Sequence, residues 1–197
     1  MRREHTSEQG IDPSLKFWFK GEQGRLVDEI SGNPIIVNQN LLEWSSSRGA
    51  YLAKNPASYN PKYCAYCVCD TGITEMTQTV VVDVYRYTSG SNLTTLDTYP
   101  TRQASWGFYN SWLPSSAQWI RLANTWQKNN NNTISRRNYV NGVLKFSYEY
   151  SGDGTFNPYQ GVTINYTNQW SGDWCQYYLK NLRWYNRVLT LDEIAAL

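Results

Sequence analysis

The chain has 197 residues, 41% of them hydrophobic, which is enough for a core and within the size of one β-sandwich, so a disordered tail is excluded. Its 18 Lys and Arg against 16 Asp and Glu leave a net charge of +2, with the cations scattered rather than striped, which argues against a nucleic-acid surface. Aromatic residues stand out: 16 Tyr and 9 Trp against 5 Phe, rings with a polar tip that suit half-buried faces and binding surfaces.

Met1-Arg2-Arg3-Glu4-His5-Thr6 leads into no apolar run, so no Sec signal peptide is expected, and no stretch of bilayer-spanning length is free of charge. Residues 1–11 read as a polar arm and 12–197 as one domain. Helical periodicity is nearly missing, and alternation is common. Leu15, Phe17 and Phe19 fall on one face of a strand, with Lys16 and Lys20 on the other. Asn38 to Lys62, rich in Ser, Asn, Pro and Gly, reads as a long loop. Thr79 to Tyr87 predicts a strand with Val80, Val82 and Val84 on one face and Val81, Asp83 and Tyr85 on the other. Ala104, Trp106 and Phe108 alternate in a further strand, and Ile120 and Leu122 begin one that runs toward Trp126.

Lys128 to Thr133 reads as a polar tip. In Asn138–Phe146, Asn141-Gly142 lies between two β-rich runs, and both positions tolerate positive φ, so a two-residue hairpin with Val140 opposite Val143 is expected. Val162–Ile164 and Tyr177–Tyr185 supply further strands. The count is eight to twelve short strands, the pattern of a sandwich or jelly roll. Thr190-Leu191-Asp192-Glu193 is a capping box, flanked by Leu189 and Ile194 as a hydrophobic staple, and predicts a closing helix over 191–197.

Three segments resemble the laminin G-like branch of the concanavalin A-like lectin/glucanase superfamily. They are Trp18-Phe19 followed by Leu26–Asn33 with its Asp28-Glu29-Ile30-Ser31-Gly32-Asn33 turn, Trp119–Thr125 followed by the Tyr139-Val140-Asn141-Gly142 hairpin, and Leu179–Ile194 with its Tyr185-Asn186-Arg187 and Leu189-Thr190 ending. The resemblance spans roughly residues 12 to 197. It implies an all-β, two-sheet antiparallel jelly-roll sandwich with a short C-terminal helix, one sheet usually concave. It does not imply one function, since this fold hosts lectins, adhesion domains, enzymes and capsid parts.

Asp28 suits the turn it opens, because a carboxylate accepts backbone N–H groups there; a calcium ligand is the alternative. Retaining glycosidases need two carboxylates about 5 Å apart, and the related glucanases carry them on one strand. No such spacing occurs: the 79–87 strand carries only Asp83, and Glu149 is followed by Asp153 in a loop. The single histidine, His5, lies in the polar arm, away from any fixed nucleophile. Hence no enzyme is expected, and no cofactor. Cys64-x-x-Cys67-x-Cys69 has ligand-like spacing and could form a four-sulfur zinc site with Cys175, but the pairing of knuckles is incomplete. Small buried thiols in strands, or a disulfide if the chain sits outside a cell, are the alternatives. Asp70, Asp97, Asp153 and Asp173 could serve calcium but form no dense acidic loop.

Sugar rings present flat C–H faces on which indole and phenol rings stack, while nearby carboxylates and amides bond the hydroxyls. Trp170-Ser171-Gly172-Asp173-Trp174 and Tyr109-Asn110-Ser111-Trp112 have this makeup. Tyr109, Trp112, Trp170, Asp173 and Trp174 are therefore the expected ligand surface, and Trp106, Trp119 and Trp184 the expected core. The expected function is a non-catalytic, carbohydrate-binding or adhesion module that takes a glycan or surface polysaccharide. With no export signal it fits display on a phage virion, released by lysis; otherwise it is cytoplasmic. A structural virion protein, contacting other virion proteins or itself without glycan, is the alternative, and a glycoside hydrolase is a third reading.

Overall fold

The computed structural model describes residues 11–37, 41–54, 65–69, 73, 75–86, 93–99, 105–108, 110–114, 117–152, 154, 161–164 and 176–197. In chain order the strands are β1 (Leu15–Phe19), β2 (Ile35–Ile36), β3 (Leu42–Ser45), β4 (Ala50–Ala53), β5 (Ala65–Val68), β6 (Gln78–Arg86), β7 (Leu93–Tyr99), β8 (Ser105–Phe108), β9 (Trp119–Lys128), β10 (Thr133–Val140), β11 (Val143–Ser151), β12 (Gly161–Ile164) and β13 (Tyr177–Tyr185). A 3₁₀ turn, Asn110–Trp112, follows β8, and a single α-helix, α1 (Leu191–Ala196), follows β13. Every pair among the described strands is antiparallel.

Eight strands form the large sheet in the order β11-β10-β9-β6-β13-β4-β3, with β1 also on β13; the small sheet runs β2-β5-β12-β7-β8. The core fills the space between them. Phe17 and Phe19 of β1, Val80, Val82 and Val84 of β6, Leu122 of β9 and Leu179 of β13 face Cys67 of β5 and Val162 and Ile164 of β12. Trp184 is fully buried among them, and its Nε1–H donates to Gln78 Oε1 at 2.8 Å, which satisfies the indole inside an apolar layer. A second, smaller cluster lies on the outer face of the large sheet. There α1 lays Ile194, with Leu189 before it, on Val81, Ala123 and Tyr185.

Local expectations held where the chemistry is local. Asn141 (φ 49°) and Gly142 (φ 76°) make the hairpin turn between β10 and β11, with Val140 opposite Val143. Thr190 caps α1: its Oγ accepts from Glu193 N, and Glu193 Oε2 accepts from Thr190 N at 2.7 Å. Three readings are corrected. The stretch read as one long loop, 38–62, contains β3 and β4, which pair with each other while β4 also pairs with β13. The strands number thirteen among the described residues, one beyond the expected range, because β2 is a two-residue pairing too short to read. Leu15 leaves the face of Phe17 and Phe19: a bulge between Leu15 and Phe17 turns it into the outer cluster.

Candidate functional site

Where β13 passes β6 its register shifts between Lys180 and Arg183, and Asn181 takes φ 52°. The bulge lies at a fork in the sheet. Tyr177–Leu179 pair with β4, whereas Leu182–Tyr185 pair with β1, so the strand changes partner across Lys180 and Asn181. Asn181 N donates to Lys20 O at 3.0 Å, and Gly21 approaches so closely that a Cβ there would meet Lys180 Cα at 3.0 Å. The extra residue leaves Leu179 and Leu182 pointing into the core and brings Lys180 and Asn181 to the outer face beside Asp83 of β6.

Asp83 is held from two sides. Arg121 donates from Nε to Oδ1 at 2.8 Å and from Nη2 to Oδ2 at 3.2 Å, and Asn181 Nδ2 donates to Oδ2 at 3.0 Å. The forked geometry fixes both partners. Arg121 also reaches the C-terminal end of α1, donating from Nη1 to Ile194 O at 3.3 Å, where a cation suits the helix dipole. The hydrogen bond to Asp83 holds the Arg121 guanidinium above its already high ordinary range. Burial pushes the neighbouring Arg183 guanidinium down. On the other side Asn141 Oδ1 accepts from Arg121 N at 2.8 Å, so the β10–β11 hairpin tip closes the site.

These residues line an open depression of about 470 Å³ walled by Trp119, Arg121, Asp83, Lys180, Asn141 and, from α1, Ile194 and Ala195. Lys180 Nζ lies 4.3 Å from the centroid of the Trp119 indole. Trp119 meets Tyr85 edge-on at 5.9 Å, and Tyr85 meets Tyr178 at 6.2 Å. Arg48, from the β3–β4 turn, lies 4.1 Å above Tyr85. Lys180 also lines a second depression, of about 410 Å³, with Trp18, Lys20 and Trp44. The first hollow, with half-buried Trp119 beside the cations Arg121 and Lys180, is an open trough on the outer face, and Lys180 borders both hollows. Neither Lys180 nor Arg48 has an ion-pair partner among the described residues.

Trp119 is thereby corrected. It was expected in the core, but it sits half-buried on the outer face, because the inward positions of β9 are Ile120 and Leu122. Trp184 is core as expected, and the Trp106 side chain lies outside the described residues. Of the expected ligand residues, Tyr109, Trp170, Asp173 and Trp174 also lie outside them. Trp112 is described: it is half-buried against the core and stacks on Phe146 at 5.0 Å and 23°. Phe146 continues to Tyr148 at 6.2 Å and Tyr148 to Tyr150 at 6.3 Å, a ladder along β11. The alternation of Phe146, Tyr148 and Tyr150 was the available sequence signal for that ladder. The signal for the trough was weaker, a lone Asp83 on a strand and a Lys-Asn pair inside another.

The turn role of Asp28 is visible. Fully buried, it accepts from Trp18 N (2.8 Å), Ile30 N (3.2 Å), Ser31 N (3.1 Å) and Ser31 Oγ (2.6 Å). One of its oxygens, Cys67 Sγ and Cys69 Sγ lie within 4.8 Å of one another, and all three residues are buried. Donors already surround the carboxylate, so a cation there would face N–H and O–H groups; that leaves two thiols, short of the four ligands of a structural zinc site. Cys64 and Cys175, and the calcium candidates Asp70, Asp153 and Asp173, lie outside the described residues, as does the Asp97 side chain.

Comparison with known proteins agrees with this architecture. A laminin G-type model, described as concanavalin A-like lectin/glucanases superfamily, matches residues 78–195. That range takes in the second and third resembling segments but not the Trp18–Asn33 segment. No curated protein sequence matches the chain. Among solved structures, it is similar to domain 4 of AbnA, a GH43 extracellular arabinanase from Geobacillus stearothermophilus in complex with arabinotriose, at 14% identity, TM-score 0.62, over 93% of this chain and 97% of that one. It is also similar to the receptor binding domain of botulinum neurotoxin type G (14% identity, TM-score 0.61, 93% of this chain and 50% of that one). The ligand binding domain of botulinum neurotoxin serotype D in complex with N-acetylneuraminic acid is a further match (12% identity, TM-score 0.64, 93% and 50%). The chain spans about half the length of these neurotoxin domains. With more than half of its sequence matched by the family model, and two antiparallel sheets closed by one short helix, the chain belongs to the concanavalin A-like lectin/glucanase superfamily.

Proposed function

We propose that the protein is a non-catalytic glycan-binding module whose ligand lies in the outer-face trough. The observation that carries this reading is the make-up of the trough: the Trp119 indole offers apolar area beside Asp83, Arg121, Asn141 and Lys180, polar groups held in fixed positions around one open hollow. A flat sugar face and its hydroxyls are what such a surface complements. Lys180 covers part of the indole, so a ligand stacking there must move its ammonium. A sugar bearing a carboxylate does this while pairing with it.

The chemistry of the hollow supports binding rather than turnover. Among the described residues lining that hollow the one carboxylate, Asp83, is spent on Arg121 and Asn181, whereas glycoside cleavage needs an acid and a second carboxylate with separate environments. Trp112, with Tyr109, Trp170, Asp173 and Trp174, is proposed as a second contact surface. None of the matched structures named above is a virion protein, so display on a particle is no part of the proposal.

Calorimetric titration against a panel of neutral and carboxylate-bearing polysaccharides tests the reading. Binding that weakens at least about tenfold, about 1.4 kcal/mol, in Trp119→Ala supports it. Failure to bind any member overturns it. Loss in Trp112→Ala with Trp119→Ala unaffected moves the site to that second surface. Release of reducing ends that stops in Asp83→Asn overturns the non-catalytic assignment.

A further inference from the structure

The second hollow, of about 410 Å³, sits at the fork where β13 changes partner from β4 to β1. Its walls come from three places: Trp18 and Lys20 of β1 and the residue after it, Trp44 of β3 with Gly49 of the β3–β4 turn, and Lys180 of β13. The turn after β1 is tied across to β4, where Gly24 N donates to Tyr51 Oη at 3.1 Å, so the cleft is preformed.

The two indoles are held by packing rather than by hydrogen bonds. Trp44 meets Tyr51 edge-on at 5.3 Å. Trp18 has two cations near its ring centroid, Lys20 Nζ at 4.7 Å and the Arg183 guanidinium at 5.0 Å. Both Nε1–H groups are buried, and neither has an acceptor. A buried indole N–H usually finds a partner, as that of Trp184 does in Gln78. Two orphaned donors in the walls of one cleft mark a place where an acceptor belongs.

The charges agree. Lys180 has no ion pair among the described residues. Lys20 has a long one, 3.7 Å from Glu29 Oε2, while Arg25 grips the same carboxylate from Nε and Nη2 at 2.6 and 2.7 Å. Glu22, exposed, is the one acid among the residues that line the cleft. Two ammonium groups against one carboxylate leave a positive surplus. The indoles add apolar area, which an inorganic anion does not use and an organic acid does.

We propose that this cleft binds an organic carboxylate. Its oxygens accept from the indole N–H groups of Trp18 and Trp44 and pair with Lys20 and Lys180, and its carbon body packs on the two rings. Lys20, half-exposed, swings off Trp18 as the carboxylate enters. The site is separate from the ligand reading of the first hollow, with which it shares Lys180 alone.

The nine indole N–H resonances of the isotope-labelled full chain report on the site, with Trp18→Phe and Trp44→Phe assigning two of them. Titration with sodium galacturonate at constant ionic strength is expected to move both signals downfield together, with one Kd tighter than about 10 mM. The Trp184 signal is expected to stay, its N–H being bonded already. The methyl ester, the same ring without the charge, and sodium sulfate are expected to give no saturating shift. Trp44→Phe keeps a ring and removes the N–H, and should weaken binding about threefold or more. The double variant Lys20→Met, Lys180→Met keeps apolar stems and should weaken it about tenfold or more, with circular dichroism unchanged. An oligogalacturonate held more tightly than the monomer makes the carboxylate one residue of a chain, and equal affinity makes it a free acid; both uphold the site. No saturating shift with either the acid or its oligomer overturns the proposal. So does an equal response to the ester or to sulfate, or a double variant that binds as the wild type does.

Discussion

β13 and β11 belong to one sheet, have nine residues each and are both rich in rings, yet they meet opposite fates. β13 lies between β6 on one side and β4 and β1 on the other, and none of its residues is exposed; β11 is the rim, and none of its residues is buried. Both alternate, so alternation marks a strand without marking its place. Place is set by what lies opposite. The inward rings of β13 face the small sheet, whereas those of β11 stack on one another and on Trp112. An interior aromatic residue should therefore hold the fold, and a rim aromatic residue should serve association or binding.

The sharpest way to break this contrast is to truncate one ring from each strand. Trp184→Ala empties a fully buried site and orphans Gln78 Oε1, so a loss of about 3–5 kcal/mol is expected in urea unfolding. Tyr148→Ala should cost less than about 1 kcal/mol, the worth of stacking at an exposed site. Comparable losses from the two would show that the rim ladder is structural, and the contrast would fail.

The interior also carries a group that works against it. Asn124 of β9 is fully buried, and both its Oδ1 and Nδ2 lack a hydrogen-bond partner. A buried amide without partners costs about 1–3 kcal/mol. Asn124→Leu, which keeps the branching but carries bulkier terminal methyls, should therefore raise the unfolding free energy read from urea denaturation, by up to about 1–3 kcal/mol. A destabilised variant would mean that the amide is satisfied in solution and that the polar site is part of the interior design.

What the sequence revealed depended on how far apart the interacting residues lie. The Asn141-Gly142 turn and the Thr190–Glu193 box act over a few residues, and each was legible; of the β1 alternation only Phe17 and Phe19 kept the expected face, since the bulge moves Leu15 off it. β3 and β4 were not. Their four-residue runs sit in a turn-rich stretch, and they are strands because β4 finds β13 about 125 positions later along the chain, at Tyr177–Leu179. The trough was less legible still. Asp83 could be seen as a lone strand carboxylate. Its company, however, depends on a bulge at Lys180–Asn181, where β13 changes partner from β4 to β1. Trp119 read as core for a related reason: a Trp beginning a β-rich run has no local mark of which face it takes.

The smallest effect expected lies at the rim of the outer cluster, where Arg187 joins the start of the domain to α1. Its Nη2 donates to Asp12 Oδ2 at 2.7 Å, its Nη1 to Glu193 Oε2 at 3.0 Å and its Nε to Ser14 Oγ at 3.0 Å. The Arg187 bonds, with the Thr190 amide, hold the Glu193 carboxyl down at about 2 from an ordinary 4.5. Burial works to raise Asp12, but bonds from Ser14 and Arg187 outweigh it and hold that carboxyl at about 2 from 3.8. A carboxyl depressed in the folded state contributes its full stabilisation above its unfolded value and loses it as pH falls toward the folded one. Glu193→Gln removes the charge but keeps an N3 amide able to bond the Thr190 amide. Its melting temperature should thus lie below that of the wild type at pH 7, with a gap that narrows from about pH 4.5 and closes near pH 2. A gap that stays constant across that window would assign the effect to the cap rather than the charge, and would leave the rim clamp without electrostatic weight.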